Sequence, residues 1–145
     1  MADTFQFEIV TPAAPLLSQP AELVIIPGAD GDFGVMPGHA PLLSTLRPGT
    51  IDIRDRSLKV QEQYFVEGGF AEVTPERCSI LAEEALPVGK ITRDEAEERL
   101  KRAHDALMIA SLGVRVTAER DVRAAEAMVA AVDAYEKALG HGRGH

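Results

Sequence analysis

Four histidines, one cysteine and an acidic, glycine-rich loop are the groups in this chain with the means to do chemistry, and their spacing narrows what that chemistry could be. The lone Cys78 excludes an intrachain disulfide and a thiolate metal cluster within one chain. In Cys78-Ser-Ile-Leu-Ala82 it reads as a small buried hydrophobe. His104 lies close to Arg102 and Asp105 in a helical pattern and reads as solvated. His141 and His145 belong to Gly140-His-Gly-Arg-Gly-His145, a tail expected to be disordered and to lack a scaffold for a metal.

His39 sits in the most distinctive stretch, Gly28-Ala-Asp-Gly-Asp-Phe-Gly-Val-Met-Pro-Gly-His-Ala-Pro-Leu-Leu43. Asp30 and Asp32 suggest a calcium loop, yet the twelfth position counted from Asp30 is Pro41, where such a loop needs a bidentate Glu. Gly28, Gly31 and Gly34 are spaced by three and match neither the dinucleotide fingerprint nor a phosphate loop with its Lys-Ser/Thr ending. Neither a metal site nor a cofactor cradle is therefore expected. A small hydrolase using His39 with Asp32 is disfavoured, because no nucleophile or oxyanion donor lies near them in the sequence. The alternating Gly and Pro instead describe a rigid looped edge that presents Asp32, Phe33 and His39 outward, suited to docking a partner.

The elements that must hold this edge follow from a break in composition. All nine prolines and six of the seven aromatics lie at or before residue 87, and Ala, Glu, Arg and Lys concentrate beyond it. Proline and glycine punctuate strands, whereas Ala, Glu, Arg and Leu favour helices, so residues 1–87 read as a β domain and 88–145 as an α domain. Phe5, Phe7 and Ile9 alternate with Gln6 and Glu8, the period of a strand with one wet face. Further strands are expected at 21–26, 51–53, 58–60, 64–66, 70–73 and 78–82. The implied fold is an antiparallel β-sandwich or flattened barrel followed by an antiparallel α-helical hairpin. Thr92 and Glu95 form a capping-box pattern opening a helix over about 92–113, stopped by Gly113. Thr117 then caps a second helix over about 117–140, with Val122, Ala125, Val129, Val132 and Leu139 on one stripe. Its alanine-rich seam buries little area per residue and makes local opening cheap.

At 145 residues with 15 Lys+Arg against 23 Asp+Glu, the chain carries a formal charge of −8, which leaves no basic field for nucleic acid. The longest apolar runs are a few residues, too short to cross a bilayer, and Asp3 and Glu8 break any secretory-signal pattern. A cytoplasmic location is expected.

Phe7-Glu-Ile-Val-Thr-Pro12, the Pro27–Leu43 block, Leu46-Arg-Pro-Gly49, Tyr64-Phe-Val-Glu-Gly-Gly-Phe70 and Ile80-Leu-Ala-Glu83 together resemble the epsilon-subunit family of the F-type proton-translocating ATP synthases. The likeness is one of motif over residues 4–87 and of architecture over 88–139. It implies a non-catalytic rotor subunit of the central stalk that binds the gamma subunit and rests on the polar loops of the membrane-embedded c-subunit ring. It would help couple proton-driven rotation to ATP synthesis, held peripherally on the cytoplasmic face of the inner membrane. By motif position, Gly31, Asp32, Phe33, Gly34 and His39 correspond to the surface near the c-ring. A stand-alone β-sandwich module whose helices sense a ligand is the alternative from another class.

Two departures from the family stand out. Some bacterial relatives bind ATP through Ile/Leu-Asp-x-x-Arg-Ala, and here the segment reads Ile91-Thr-Arg-Asp-Glu-Ala96. Thr92 replaces the acid and Glu95 the arginine, so weak or absent ATP binding is expected. Inhibitory relatives also meet an acidic loop of the catalytic alpha/beta head with basic residues of the second helix. Here 118–139 carries three basic against five acidic residues, so weak or no inhibition of hydrolysis is expected, with Arg115, Arg120 and Arg123 the residues able to touch the head.

Overall fold

The computed structural model describes residues 3–143. The chain divides into two compact units, Met1–Pro87 and Val88–His145.

Among the described residues the first unit holds β1 (Phe5–Val10), β2 (Pro15–Ala21), β3 (Leu23–Gly28), β4 (Gly31–Val35), β5 (Leu42–Leu46), β6 (Gly49–Arg54), β7 (Val60–Val66), β8 (Gly69–Val73), β9 (Arg77–Leu81) and β10 (Ala85–Pro87). They run in the order β10-β7-β6-β3-β5-β8-β9-β1-β2, with β4 on the side of β3. β3 meets β5 at a single pair, Gly28 with Leu46, so the sheet folds over there into two faces. The alternation in β1 works as expected: Phe5, Phe7 and Ile9 are buried and Gln6, Glu8 and Val10 are not. They join Val24, Ile26, Ile51, Val66, Cys78 and Ile80 in one apolar core, and burial of this kind is the main term favouring the folded state.

The expected antiparallel sandwich holds with one exception, the parallel pair β1–β9. Parallel neighbours need a long connection, and nearly the whole unit lies between these two strands. Four strands escaped the hydrophobic pattern: β2, β4, β5 and β10. The segment 58–60 is corrected. Leu58 sits at φ +68 in a turn whose N–H groups at Ser57 and Lys59 both donate to Asp55 Oδ1, and β7 starts only at Val60.

The second unit opens with one 3₁₀ turn (Val88–Lys90), followed by α1 (Arg93–Met108) and α2 (Leu112–Arg143). Thr92 caps α1, its hydroxyl accepting the Glu95 N–H at 3.1 Å. The helix limits differ from the expected 92–113 and 117–140. α1 ends at Met108 with Ile109 as its C-cap, the Ala110 N–H is taken by the Leu107 carbonyl, and Ser111 starts the next helix by accepting from Val114. Gly113 therefore lies in the first turn of α2, where glycine costs less than in a helix interior, and Thr117 lies inside the helix. α2 also runs past Gly140 to Arg143. The expected disordered tail falls partly outside the described residues, which exclude Gly144, His145 and the side chains from His141 onward. Arg93 reaches from α1 to Asp133 (2.5 Å) and Glu136 (3.1 Å) of α2, which fixes the antiparallel hairpin. Of the expected stripe, Val122, Ala125 and Val132 are buried, together with Ala118, Met128 and Ala131; Leu139 is exposed.

Candidate functional site

The Gly/Pro block folds as a β-hairpin rather than a loop. β3 and β4 pair through Val24–Val35, Ile25–Gly34, Ile26–Phe33, Pro27–Asp32 and Gly28–Gly31, leaving Ala29 and Asp30 as the two-residue connection. Glycine is required at position 28, where a Cβ would stand 2.7 Å from the Gly31 carbonyl oxygen and 3.0 Å from the Phe33 ring. Gly31 itself adopts φ +141, a conformation that other residues rarely take.

Arg47 holds this hairpin in place. Its Nη1 donates to the Gly28 carbonyl at 2.6 Å, its Nη2 to Asp32 Oδ1 at 2.5 Å, and its backbone N–H to the Pro27 carbonyl at 3.0 Å. The Ala29 N–H donates in turn to Thr45 of β5. Asp32 is thus an outward carboxylate already paired within the chain. Phe33 departs from expectation: its ring packs against the core instead of facing out. At Gly34 an added Cβ would meet the Ile25 and Leu23 side chains at 3.4 and 3.5 Å, ordinary contact distances.

His39 lies elsewhere. β4 carries Asp32 at its start and ends at Val35, and the chain then turns at Gly38, whose N–H donates to Pro75 at 2.9 Å. His39 follows, with Nδ1 donating to the Ala40 carbonyl at 2.7 Å. Asp32 and His39 therefore leave β4 at opposite ends, and the expected single edge is really two surfaces. The same separation removes the pair on which a hydrolase reading depended.

A second feature lies at the Asp32 end. Leu46, the last residue of β5, pairs with Gly28 on one side and Gly69 on the other. Beside Gly69 opens an apolar groove of about 380 Å³ walled by Val10, Pro12, Phe70, Leu81 and Ala82. Phe70 and Leu81 face each other directly across β8 and β9 and are 52% and 48% exposed. Aromatic and aliphatic surface left to solvent in this way is the chemistry of an interface core.

The helical unit offers less. Arg115, Arg120 and Arg123 are all exposed; Arg115 is engaged by Glu119 at 3.2 Å, and Arg120 and Arg123 are three apart and share a face. At the start of α1, Arg93 is held by Glu136 and Asp133, which raise its pKa further above the usual guanidinium value. Glu95 is exposed. His104 is exposed on α1. Among the described residues no group of three or more His, Cys, Asp or Glu could hold a metal, and no helix is long and apolar enough to cross a membrane. Cys78 is fully buried, and loss of hydration pushes its thiol up to about 12.

Sequence reasoning missed Arg47 and the groove. A signal for the first existed: Arg47 is the only Lys or Arg in the first 53 residues, so it is the cation nearest in sequence to the acids of the Gly/Pro block.

Residues 4–88 match the family described as ATP synthase, Delta/Epsilon chain, beta-sandwich domain. Among similar proteins, the ATP synthase epsilon chain of Paramagnetospirillum magneticum is 51% identical over 133 residues, covering 91% of this chain and 99% of that one. That of Rhodospirillum rubrum is 47% identical over 132 residues, covering 90% and 98%. The fold is shared with a chain of the Euglena gracilis mitochondrial ATP synthase, OSCP/F1/c-ring (TM-score 0.77, 24% identity, 91% of this chain and 83% of that one). It is shared too with one from the Tetrahymena thermophila mitochondrial ATP synthase central stalk/c-ring (TM-score 0.65, 16% identity, 88% and 96%).

Proposed function

Because the chain belongs to the delta/epsilon family of ATP synthase subunits, we propose that it is the epsilon chain of a proton-translocating ATP synthase, acting in the central stalk as a non-catalytic coupling between the c-ring and the gamma subunit. The observation that carries this reading is the near end-to-end likeness to bacterial epsilon chains, at 51% identity over 133 residues. The architecture supports it in physical terms. A part that passes torque needs a stiff body, and a closed β core with its hairpin pinned by Arg47 supplies one.

The two surfaces at the Leu46 end suit two kinds of neighbour. The polar hairpin tip around Gly31 and Asp32 fits a polar loop, as the c-ring is expected to offer. The Phe70–Leu81 groove fits a permanent apolar contact, and we assign it to gamma. His39, at the other end of β4, lies outside both. The protein is then peripheral, on the cytoplasmic face of the inner membrane, reaching the bilayer only through its partners.

The hairpin of α1 and α2 inhibits ATP hydrolysis weakly or not at all and holds no ATP. Arg93, within the altered segment, is already occupied by the carboxylates of Glu97, Asp133 and Glu136, and Glu95 stands where a guanidinium donor would be needed. Co-purification tests the reading. Tagged chain should retain both gamma and the c-ring from solubilised membranes; recovery of the chain with neither would overturn it.

A further inference from the structure

Resting on the assignment of the hairpin tip to the c-ring, we infer that Arg47 is the positioning residue of that surface and that Asp30, not Asp32, carries the charge the partner meets. Arg47 comes from the β5–β6 connection yet binds both strands of the β3–β4 hairpin: the Gly28 carbonyl at 2.6 Å, the Asp32 carboxylate at 2.5 Å and, through its backbone, the Pro27 carbonyl at 3.0 Å. Pro48 follows it, which restricts the backbone of Arg47 to extended conformations and limits where the guanidinium can reach. The Asp32 charge is compensated inside the chain. Because that ion pair is itself solvent-exposed, 42% on Arg47 and 60% on Asp32, it adds little to global stability; its effect is on the placement of the tip.

Asp30 has the opposite character. It stands at the apex between Gly28 and Gly31, is exposed, and among the described residues its carboxylate takes part in no hydrogen bond or ion pair. A carboxylate has four acceptor sites, all of them open here, so the matching group is a Lys or Arg side chain on the facing loop. Arg47 sets the tip and Asp30 reads the partner.

Binding of the full chain to isolated c-ring in detergent separates these roles, measured over a range of salt alongside gamma binding and the thermal midpoint. Asp32→Ala and Arg47→Ala should each weaken c-ring binding about tenfold, and the double variant should be no worse than either, as expected for two members of one strut. Asp32→Asn keeps an oxygen that accepts from Arg47 and should stay within about twofold of wild type. Asp30→Asn should weaken binding about fivefold and flatten its salt dependence. All five variants should bind gamma normally and melt within a few degrees of wild type. Asp32→Asn as damaging as Asp32→Ala, additive losses in the double variant, or a silent Asp30→Asn would each overturn the inference. Failure of the wild-type chain to bind the c-ring at all, with gamma binding intact, would instead remove the c-ring assignment and this inference with it.

Discussion

One methyl group added at Gly69 should cost far more than the same group added next door at Gly68. Gly69 has φ +123, and a Cβ there would stand 2.1 Å from the Leu81 carbonyl oxygen and 3.1 Å from the Ala82 Cα. Both obstacles are backbone, so they cannot swing aside; β8 must separate from β9 where Phe70 pairs with Leu81. Strain at a left-handed position costs about 1–3 kcal/mol. Each ladder hydrogen bond opened adds about 1 kcal/mol. With two such bonds lost, the total for Gly69→Ala is about 4 kcal/mol, a large share of the roughly 5–15 kcal/mol that stabilises a small domain. Gly68 also has positive φ, +147, but the nearest atom is the Leu46 carbonyl oxygen at 3.6 Å, an ordinary contact. Gly68→Ala should cost only the strain, about 1 kcal/mol. At about 5 °C per kcal/mol for a unit of this size, the thermal midpoints should fall by about 20 °C and about 5 °C respectively. Circular dichroism melts of the purified variants read both values. Equal, small shifts would show that the β8–β9 contact is not as tight as described and that the Phe70–Leu81 groove is not rigidly built.

Four other outcomes are expected. Half of the Phe70 ring, roughly 100 Å² of apolar area, is open to a partner, worth about 2.5 kcal/mol at about 25 cal/mol per Å²; Phe70→Asp should therefore weaken gamma binding at least about fiftyfold in a direct binding assay, and an unchanged affinity would move gamma to another face. Cys78 should resist thiol reagents at neutral pH until the sandwich unfolds. In the folded chain its proton is held to about 12, against an ordinary value of 9.0, so as pH rises above about 9 the unfolded chain loses that proton first. Wild type should then lose stability over that window more steeply than Cys78→Ala, by up to about 1.4 kcal/mol per pH unit in denaturant titrations. Removing residues 88–145 should raise ATP hydrolysis by the assembled enzyme less than about twofold, and a tenfold rise would contradict the charge argument. Calorimetry on the intact chain should find no ATP binding tighter than about 1 mM; a micromolar dissociation constant would refute the reading of Thr92 and Glu95.

Much of this was legible in the residues, for reasons that also explain what was not. β1 was plain because Phe5, Phe7 and Ile9 face one core while Gln6 and Glu8 face water, giving a clean period of two. β4 was hidden because only Phe33 and Val35 carry its inward pattern, set among Gly31, Asp32 and Gly34, which read as a turn. A turn at these residues would put Phe33 outward and Asp32 beside His39, but nearness along the chain is not nearness in space once the segment is extended. Once Gly31–Val35 is a strand, rising about 3.4 Å per residue, the two side chains must part. Arg47 was visible as a lone cation in an acidic segment, but its contact with Gly28 depends on a fold-over between β3 and β5 that no local pattern announces. In the helical unit Thr92 gave the start of α1 correctly, because a cap is a local hydrogen bond. Gly113 misled because a glycine after a periodic run serves a helix end and a helix first turn alike, and the choice was made by Ser111 accepting from Val114.

The central claim is that this chain passes rotation without performing chemistry, and proton-driven ATP synthesis tests it most directly. Membrane vesicles carrying the cognate synthase, stripped of this chain, should lose most ATP synthesis under an imposed proton gradient, and added purified chain should restore it while showing no turnover alone. Unchanged synthesis in the stripped vesicles, or restoration that survives loss of both gamma and c-ring binding, would contradict the account.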